Sequence, residues 1–153
     1  VNYVALYSST LSDDDIKSDI NGNRESSIYT ADGSGNQVSF TEIQPATYKL
    51  ATYKNGYIPK IQTVEISSES DPVTVSLRAL GDATNDGSVD VSDIILIRDI
   101  ILGEANATAR METDTDLSTA ADVNKDSRID VSDIILVRDR ILGVVDENYE
   151  KKS

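Results

Sequence analysis

Val89-Asp-Val-Ser-Asp-Ile-Ile-Leu-Ile-Arg-Asp-Ile-Ile-Leu-Gly103 returns 40 residues later as Ile129-Asp-Val-Ser-Asp-Ile-Ile-Leu-Val-Arg-Asp-Arg-Ile-Leu-Gly143. Across residues 82–103 and 122–143, 14 of 22 aligned positions are identical. Repetition of this kind decides the architecture before any single motif does. In each copy an acidic, turn-rich stretch leads into an apolar run that stops at glycine, which reads as a loop followed by a helix. From Ile94 to Leu102 only Arg98 and Asp99 are polar. A helix apolar on nearly all sides needs cover from more than one direction.

Ahead of each helix, oxygen-bearing side chains fall at loop positions 1, 3, 5, 9 and 12, with a backbone carbonyl at 7. This is the spacing by which an EF-hand loop surrounds calcium with six to eight oxygens. The first loop offers Asp82, Thr84, Asp86, the Ser88 carbonyl, Asp90 (directly or through water) and Asp93. The second offers Asp122, Asn124, Asp126, the Arg128 carbonyl, Asp130 and Asp133. Alternate residues are needed because the chain must curl round one ion, and the last carboxylate must come from the first turn of the helix. Ser92 and Ser132 are placed to help cap those helices. Crowding eight carboxylates into two short turns without cations is electrostatically costly, so two Ca2+ ions are the expected cofactors, coupled to folding.

The rest of the composition agrees with oxygen-only metal chemistry. With 27 acidic and 14 basic residues the chain carries a formal charge of −13, which repels phosphate and argues against nucleic acid or an anionic membrane as partner. Cys and His are absent, so thiol catalysis, disulfides, imidazole bases and most zinc sites are excluded. No apolar run approaches the roughly 18 residues of a membrane span, so no membrane insertion is expected. The first residues lack a leader pattern and read as a strand, which suggests a piece of a longer protein.

Six of the seven Tyr and the only Phe lie before residue 58, whereas Ile, Leu and Asp dominate after 81. Two domains are therefore expected, 1–80 and 81–153, giving an α+β chain: an antiparallel β-sandwich followed by a small all-α module. Strands are expected at Tyr3–Tyr7, Ser27–Ala31, Gln37–Ile43, Thr47–Tyr53, Ile58–Ile66 and Val73–Leu77. Turn signals at Asp32-Gly33, Pro45, Asn55-Gly56 and Asp71-Pro72 divide them. The polar run Ser8–Arg24 reads as a loop or a short helix.

The run Tyr29 to Ile66, with Val38-Ser39-Phe40, Ile43, Pro45, Thr47-Tyr48-Lys49-Leu50 and Gly56-Tyr57, resembles the carboxypeptidase-regulatory or transthyretin-like sandwich that serves as an X-module beside some dockerins. An unrelated Ig-like spacer is the alternative, with the same scaffolding role. The pattern Gly81-Asp-Ala-Thr-Asn-Asp-Gly-Ser-Val-Asp-Val-Ser-Asp93, its partner at Ala121–Asp133, Asp at position 12 and the Ile-Leu-Gly helix ends resemble the dockerin family over residues 81–143. Thr84 at position 3, Ser127 at position 6 and the long polar segment Glu104–Ser118 depart from that pattern, and the segment reads as a surface insertion. The resemblance implies two antiparallel recognition helices, a short helix near Leu117–Ala121, and a cohesin module as partner. It further implies a secreted, extracellular or cell-surface setting and a chain that is otherwise monomeric.

Helical spacing directs Ile94, Ile97 and Ile101, with Ile134, Val137 and Ile141, toward an inner core. The expected partner face is then Val91, Ser92, Ile95, Leu96, Arg98, Asp99 and Leu102, with Val131, Ser132, Ile135, Leu136, Arg138, Asp139 and Leu142 as counterparts. Arg140 joins that face and, standing where the first repeat has Ile100, breaks its symmetry. The aliphatic face beside an X-like module resembles a type II-like arrangement. Cohesin binding that anchors a parent protein to a cellulosome-type, polysaccharide-degrading complex or to the cell surface is the favoured reading. An EF-hand calcium sensor or buffer is the alternative. A glycosidase using paired carboxylates is disfavoured, since metal spacing already accounts for every clustered Asp; no catalytic residue is expected and no enzyme.

Overall fold

The computed structural model describes residues 3–21, 26–32, 38–67 and 72–152, and separates into two units, 1–55 with 59–77 and 56–58 with 78–153.

In the first unit, β1 (Tyr3–Ser8), β2 (Tyr29–Asp32), β3 (Ala46–Tyr53) and β4 (Lys60–Ile66) form one antiparallel sheet in the order β2-β1-β3-β4. Side-chain alternation along β1 sorts its residues to two faces. Tyr3, Ala5 and Tyr7 enter one cluster with Ala51, while Leu6 enters another with Tyr48, Leu50 and Val64. Register follows, with Ala5 opposite Ala51 and Leu6 opposite Leu50. The polar run after β1 contains a helix, α1 (Asp13–Asn21). Ser12 starts it: the Ser12 hydroxyl accepts from the Asp15 N–H at 3.1 Å and donates to the Asp15 carboxylate at 2.5 Å. Asp13, Asp14 and Asp15 suit the positive end of the helix dipole. Ile16 and Ile20, four apart, lie on one side of α1 and complete the first cluster.

The described residues hold this single sheet, not the two sheets of a sandwich. Residues 38–43 and 72–78 carry no strand. Phe40, Ile43 and Val75 instead pack irregularly against the cluster of Leu6, Tyr48, Leu50 and Val64. Alternation of apolar residues shows that a segment has a face to bury; it does not supply the neighbouring backbone that a ladder needs. Gly33, Gln37 and Asp71, which belong to the expected turns and strands, lie outside the described residues.

The second unit contains α2 (Val91–Leu102), α3 (Ala105–Thr113), α4 (Leu117–Ala121) and α5 (Val131–Ile141). Ile97 and Val137, the same position in the two repeats, are fully buried at the centre of a cluster with Ala83, Leu96, Ala107, Leu117, Ala121 and Val123. A smaller cluster joins Ile58, Leu80 and Ala120 with Tyr149 packed against it. The short helix implied at Leu117–Ala121 is present as α4. The segment Glu104–Ser118 is not merely a surface insertion: it forms α3, whose Ala107 is buried in the main cluster.

That extra helix changes which aliphatics face inward. Leu96 is only 8% exposed and joins the core that Ala107 completes, whereas Leu136 in α5 stays half-buried. Ile101 and Ile141 are 36% and 37% exposed, not buried as the helical period suggests. They sit in the last turn of each helix, and neither joins the core cluster among the described residues.

Candidate metal centre and partner face

The two acidic loops share one backbone design. Asn85 and Gly87 adopt φ of 59° and 90°, and Lys125 and Ser127, at the same loop positions, adopt 61° and 69°. Left-handed residues at both points curl the chain back on itself. At position 6, Gly87 meets this demand without a side chain, whereas Ser127 carries a Cβ into a conformation that costs about 1 kcal/mol.

The first and last aspartates stitch each loop together. Asp82 Oδ1 and Oδ2 accept from the N–H groups of Asp86 and Gly87, both at 3.1 Å. Asp122 accepts from Asp126 at 3.2 Å and from Ser127 at 2.9 Å. Asp93 Oδ1 accepts from the N–H and hydroxyl of Thr84 at 2.8 and 2.9 Å. Asp133 Oδ1 accepts from the N–H groups of Val123 and Asn124 at 3.0 and 3.3 Å. Asp86 and Asp126 each accept from the N–H two residues on, Ser88 and Arg128, at 2.9 Å.

Helix capping is done by Asp90 and Asp130, not by the serines. Each aspartate accepts from the N–H of Ser92 or Ser132, and the serine hydroxyls donate to the same oxygen at 2.7 and 2.6 Å. Asp93 and Asp133 complete a capping box by accepting from the N–H of Asp90 and Asp130 at 2.8 and 2.9 Å. The Ser92 and Ser132 hydroxyls, and after them the N–H groups of the same serines, hold the Asp90 and Asp130 carboxyls below their ordinary range.

Asp82, Asp93 and Asp133 are buried carboxylates. Burial pushes the Asp133 carboxyl up, and the neighbouring Asp122 charge adds to this against the opposing pull of its backbone donors. Buried anions call for a compensating charge. Among the described residues, the acidic side chains are engaged by loop N–H groups, and no three of them gather as a metal cluster. The donor chemistry nonetheless fits a hard divalent cation: side-chain oxygens on alternate residues, carbonyls at Ser88 and Arg128, and no nitrogen or sulfur ligand.

Beyond the loops, Val91, Ile95 and Leu102 are exposed on α2, as are Val131 and Ile135 on α5 and Leu142 at its C-cap. Arg98 and Asp99 pair through the guanidinium, as do Arg138 and Asp139. Ser92 and Ser132 are tied into the caps. Arg140 does not stand free on this face: its Nη1 donates to the Leu80 carbonyl at 2.6 Å, and the guanidinium lies 5.3 Å over the Tyr149 ring. Sequence reasoning missed Arg78 and Tyr149, whose side chains reach Asp114 and the Leu80 carbonyl, 36 and 69 residues away. Arg78 is buried, and its Nη1 donates to both carboxylate oxygens of Asp114 at 2.8 Å.

Loop, cap, helix and glycine stop thus recur twice in one unit, the organisation of a duplicated loop–helix module. Residues 80–142 match the family described as the dockerin type I domain. A dockerin domain implies a calcium-dependent, non-catalytic module that binds a cohesin. Comparison of the chain with curated proteins and with solved structures gives no match. Among the described residues, no helix is long and apolar enough to cross a membrane.

Proposed function

We propose that residues 81–153 bind two Ca2+ ions, one in each loop, and so hold α2 and α5 ready to dock a cohesin. The first ion would be held by Asp82, Thr84, Asp86, the Ser88 carbonyl, Asp90 and Asp93. The second would be held by Asp122, Asn124, Asp126, the Arg128 carbonyl, Asp130 and Asp133. Calcium supplies positive charge for the buried carboxylates; the chain supplies the loop shape, the caps and the presented helices.

One observation carries the docking face. Val91 and Val131 are both 59% exposed, Ile95 and Ile135 are 45% and 44%, and Leu102 and Leu142 are 65% and 67%. Large aliphatics left in water at matched positions of a duplicated module form a surface that a protein partner would cover. Ser92, Arg98 and Asp99, with Ser132, Arg138 and Asp139, supply its polar rim. Ile101 and Ile141 extend the apolar surface, while buried Leu96 and half-buried Leu136 support it from beneath.

In this reading the module attaches its parent protein to a cellulosome-type, polysaccharide-degrading assembly or to the cell surface, outside the cell, and is monomeric when unbound. The N-terminal unit acts as an X-module-like scaffold without catalytic work.

Circular dichroism during a calcium titration, followed by pull-down against a panel of cohesins, tests this. Calcium should raise helix content and melting temperature, a chelator should reverse both, and a cohesin should be retained only with calcium. Binding of none of the cohesins, with an apolar groove opening as calcium is added, favours a sensor instead.

A further inference from the structure

Three consecutive backbone carbonyls at the entry of the first loop are each held by a guanidinium. Arg78 Nε donates to the Asp82 carbonyl at 2.7 Å and its Nη2 to the Ala83 carbonyl at 2.7 Å. Arg110 Nη2 donates to the Thr84 carbonyl at 3.1 Å. Arg110 lies in the last turn of α3, and Asp114 is the C-cap of the same helix. Asp114 in turn takes both hydrogen bonds from Arg78 Nη1. The segment between the repeats therefore reaches the first loop directly through Arg110 and indirectly through the Asp114–Arg78 pair.

The second loop has no such brace. Its counterpart of Arg78 is Ser118, and among the described residues no guanidinium bonds the carbonyls of Asp122, Val123 or Asn124. It also carries Ser127 in the left-handed region, where the first loop has Gly87.

We propose that Arg78, Arg110 and Asp114 are positioning residues that hold residues 82–84 in ion-ready shape before any cation arrives, so that the first loop fills with calcium ahead of the second. The inference rests on the metal reading of the two loops and deepens it by ordering the sites. The brace takes carbonyls that the ligand spacing leaves unused, so it does not compete with the ion. Asp114 offsets the charge of Arg78, which limits repulsion. A loop whose entry is already ordered loses less conformational freedom on binding than one that must be ordered by the ion. Thr84, the weaker neutral ligand, sits within the braced stretch.

Calcium titration of the full chain followed by 1H–15N NMR tests the order. The Gly87 and Ser127 amides donate to Asp82 and Asp122, so each reports its own loop. In the wild-type chain the Gly87 signal should saturate at lower calcium than Ser127. Removing the Asp114 charge with Asp114→Asn should raise the Gly87 midpoint about tenfold and leave the Ser127 midpoint within about threefold. Asp114→Glu, which keeps the charge, should restore most of the difference. Should Asp114→Asn fail to fold, Arg110→Gln at an exposed position decides, with a smaller shift of Gly87 alone. Earlier filling of the second loop, equal shifts at both amides, or no shift in either variant overturns the brace. Silence of both amides up to millimolar calcium in the wild-type chain overturns the metal reading and the brace with it.

Discussion

The Tyr149 hydroxyl donates to the Leu80 carbonyl at 2.8 Å, fastening the C-terminal tail to the residue two places before the first aspartate of the first loop. Arg140 donates to the same carbonyl and lies over the Tyr149 ring. The position at which the two repeats differ most in character, Ile100 against Arg140, therefore serves this clasp. Room for it comes from Gly81, at φ 88°, whose Cβ would stand 1.9 Å from the Tyr149 hydroxyl oxygen.

Gly81→Ala should destabilise the second unit by more than the roughly 1 kcal/mol that the left-handed backbone alone exacts. Tyr149→Phe, which removes a hydrogen bond, should cost about 1 kcal/mol. In the double variant the clash is relieved, so its loss should be smaller than the two single losses together. Urea unfolding of the four chains measures this; strict additivity would dismiss the contact as the cause.

Position 6 of the loops offers a reciprocal exchange. Ser127→Gly should stabilise the chain by about 1 kcal/mol, and Gly87→Ser should cost a similar amount, since nothing within 4 Å of Gly87 would clash and only the backbone is at issue. Melting curves with and without calcium read both changes. A loss of stability in Ser127→Gly would show that its side chain does more than tolerate the turn.

Inward and outward aliphatics should separate stability from binding. Ile97→Ala empties a fully buried site and should cost about 2–5 kcal/mol. Ile95→Asp with Ile135→Asp changes exposed positions and should shift stability by no more than about 0.5 kcal/mol each, while abolishing cohesin capture. Unfolding of the double variant would instead make these residues part of the core.

Alkaline pH should loosen the N-terminal unit through Tyr7. Burial holds its phenol well above the usual range, and the Asp19 carboxylate adds to the shift. Below the unfolded value of about 10 the phenol is neutral in both states. As pH rises past that value, the unfolded chain gives up the proton and the native chain keeps it, so stability falls. Tyr7→Phe should flatten the decline in melting temperature above pH 10; equal slopes in the two chains would clear Tyr7.

The repeat, the ligand spacing and the helix stops were legible because they are local: each loop–helix unit has its turn residues, cap and glycine within 22 consecutive positions, 82–103 and 122–143. β1 was equally readable, since its two faces alternate along six residues. The second sheet of the sandwich was not, because apolar alternation at 38–43 and 73–77 says nothing about which backbone lies alongside.

Sequence alone determined that two like acidic loops introduce two like helices, and which oxygens stand at ligand spacing. Tertiary structure decided which aliphatics remain outside, that α3 joins the core and braces the first loop, and that Arg140 closes on Tyr149. The reason is one of range. Loop curvature and capping are set by neighbours along the chain, whereas the burial of Leu96, the Arg78–Asp114 pair and the Arg140 bond to Leu80 depend on residues brought together from distant positions.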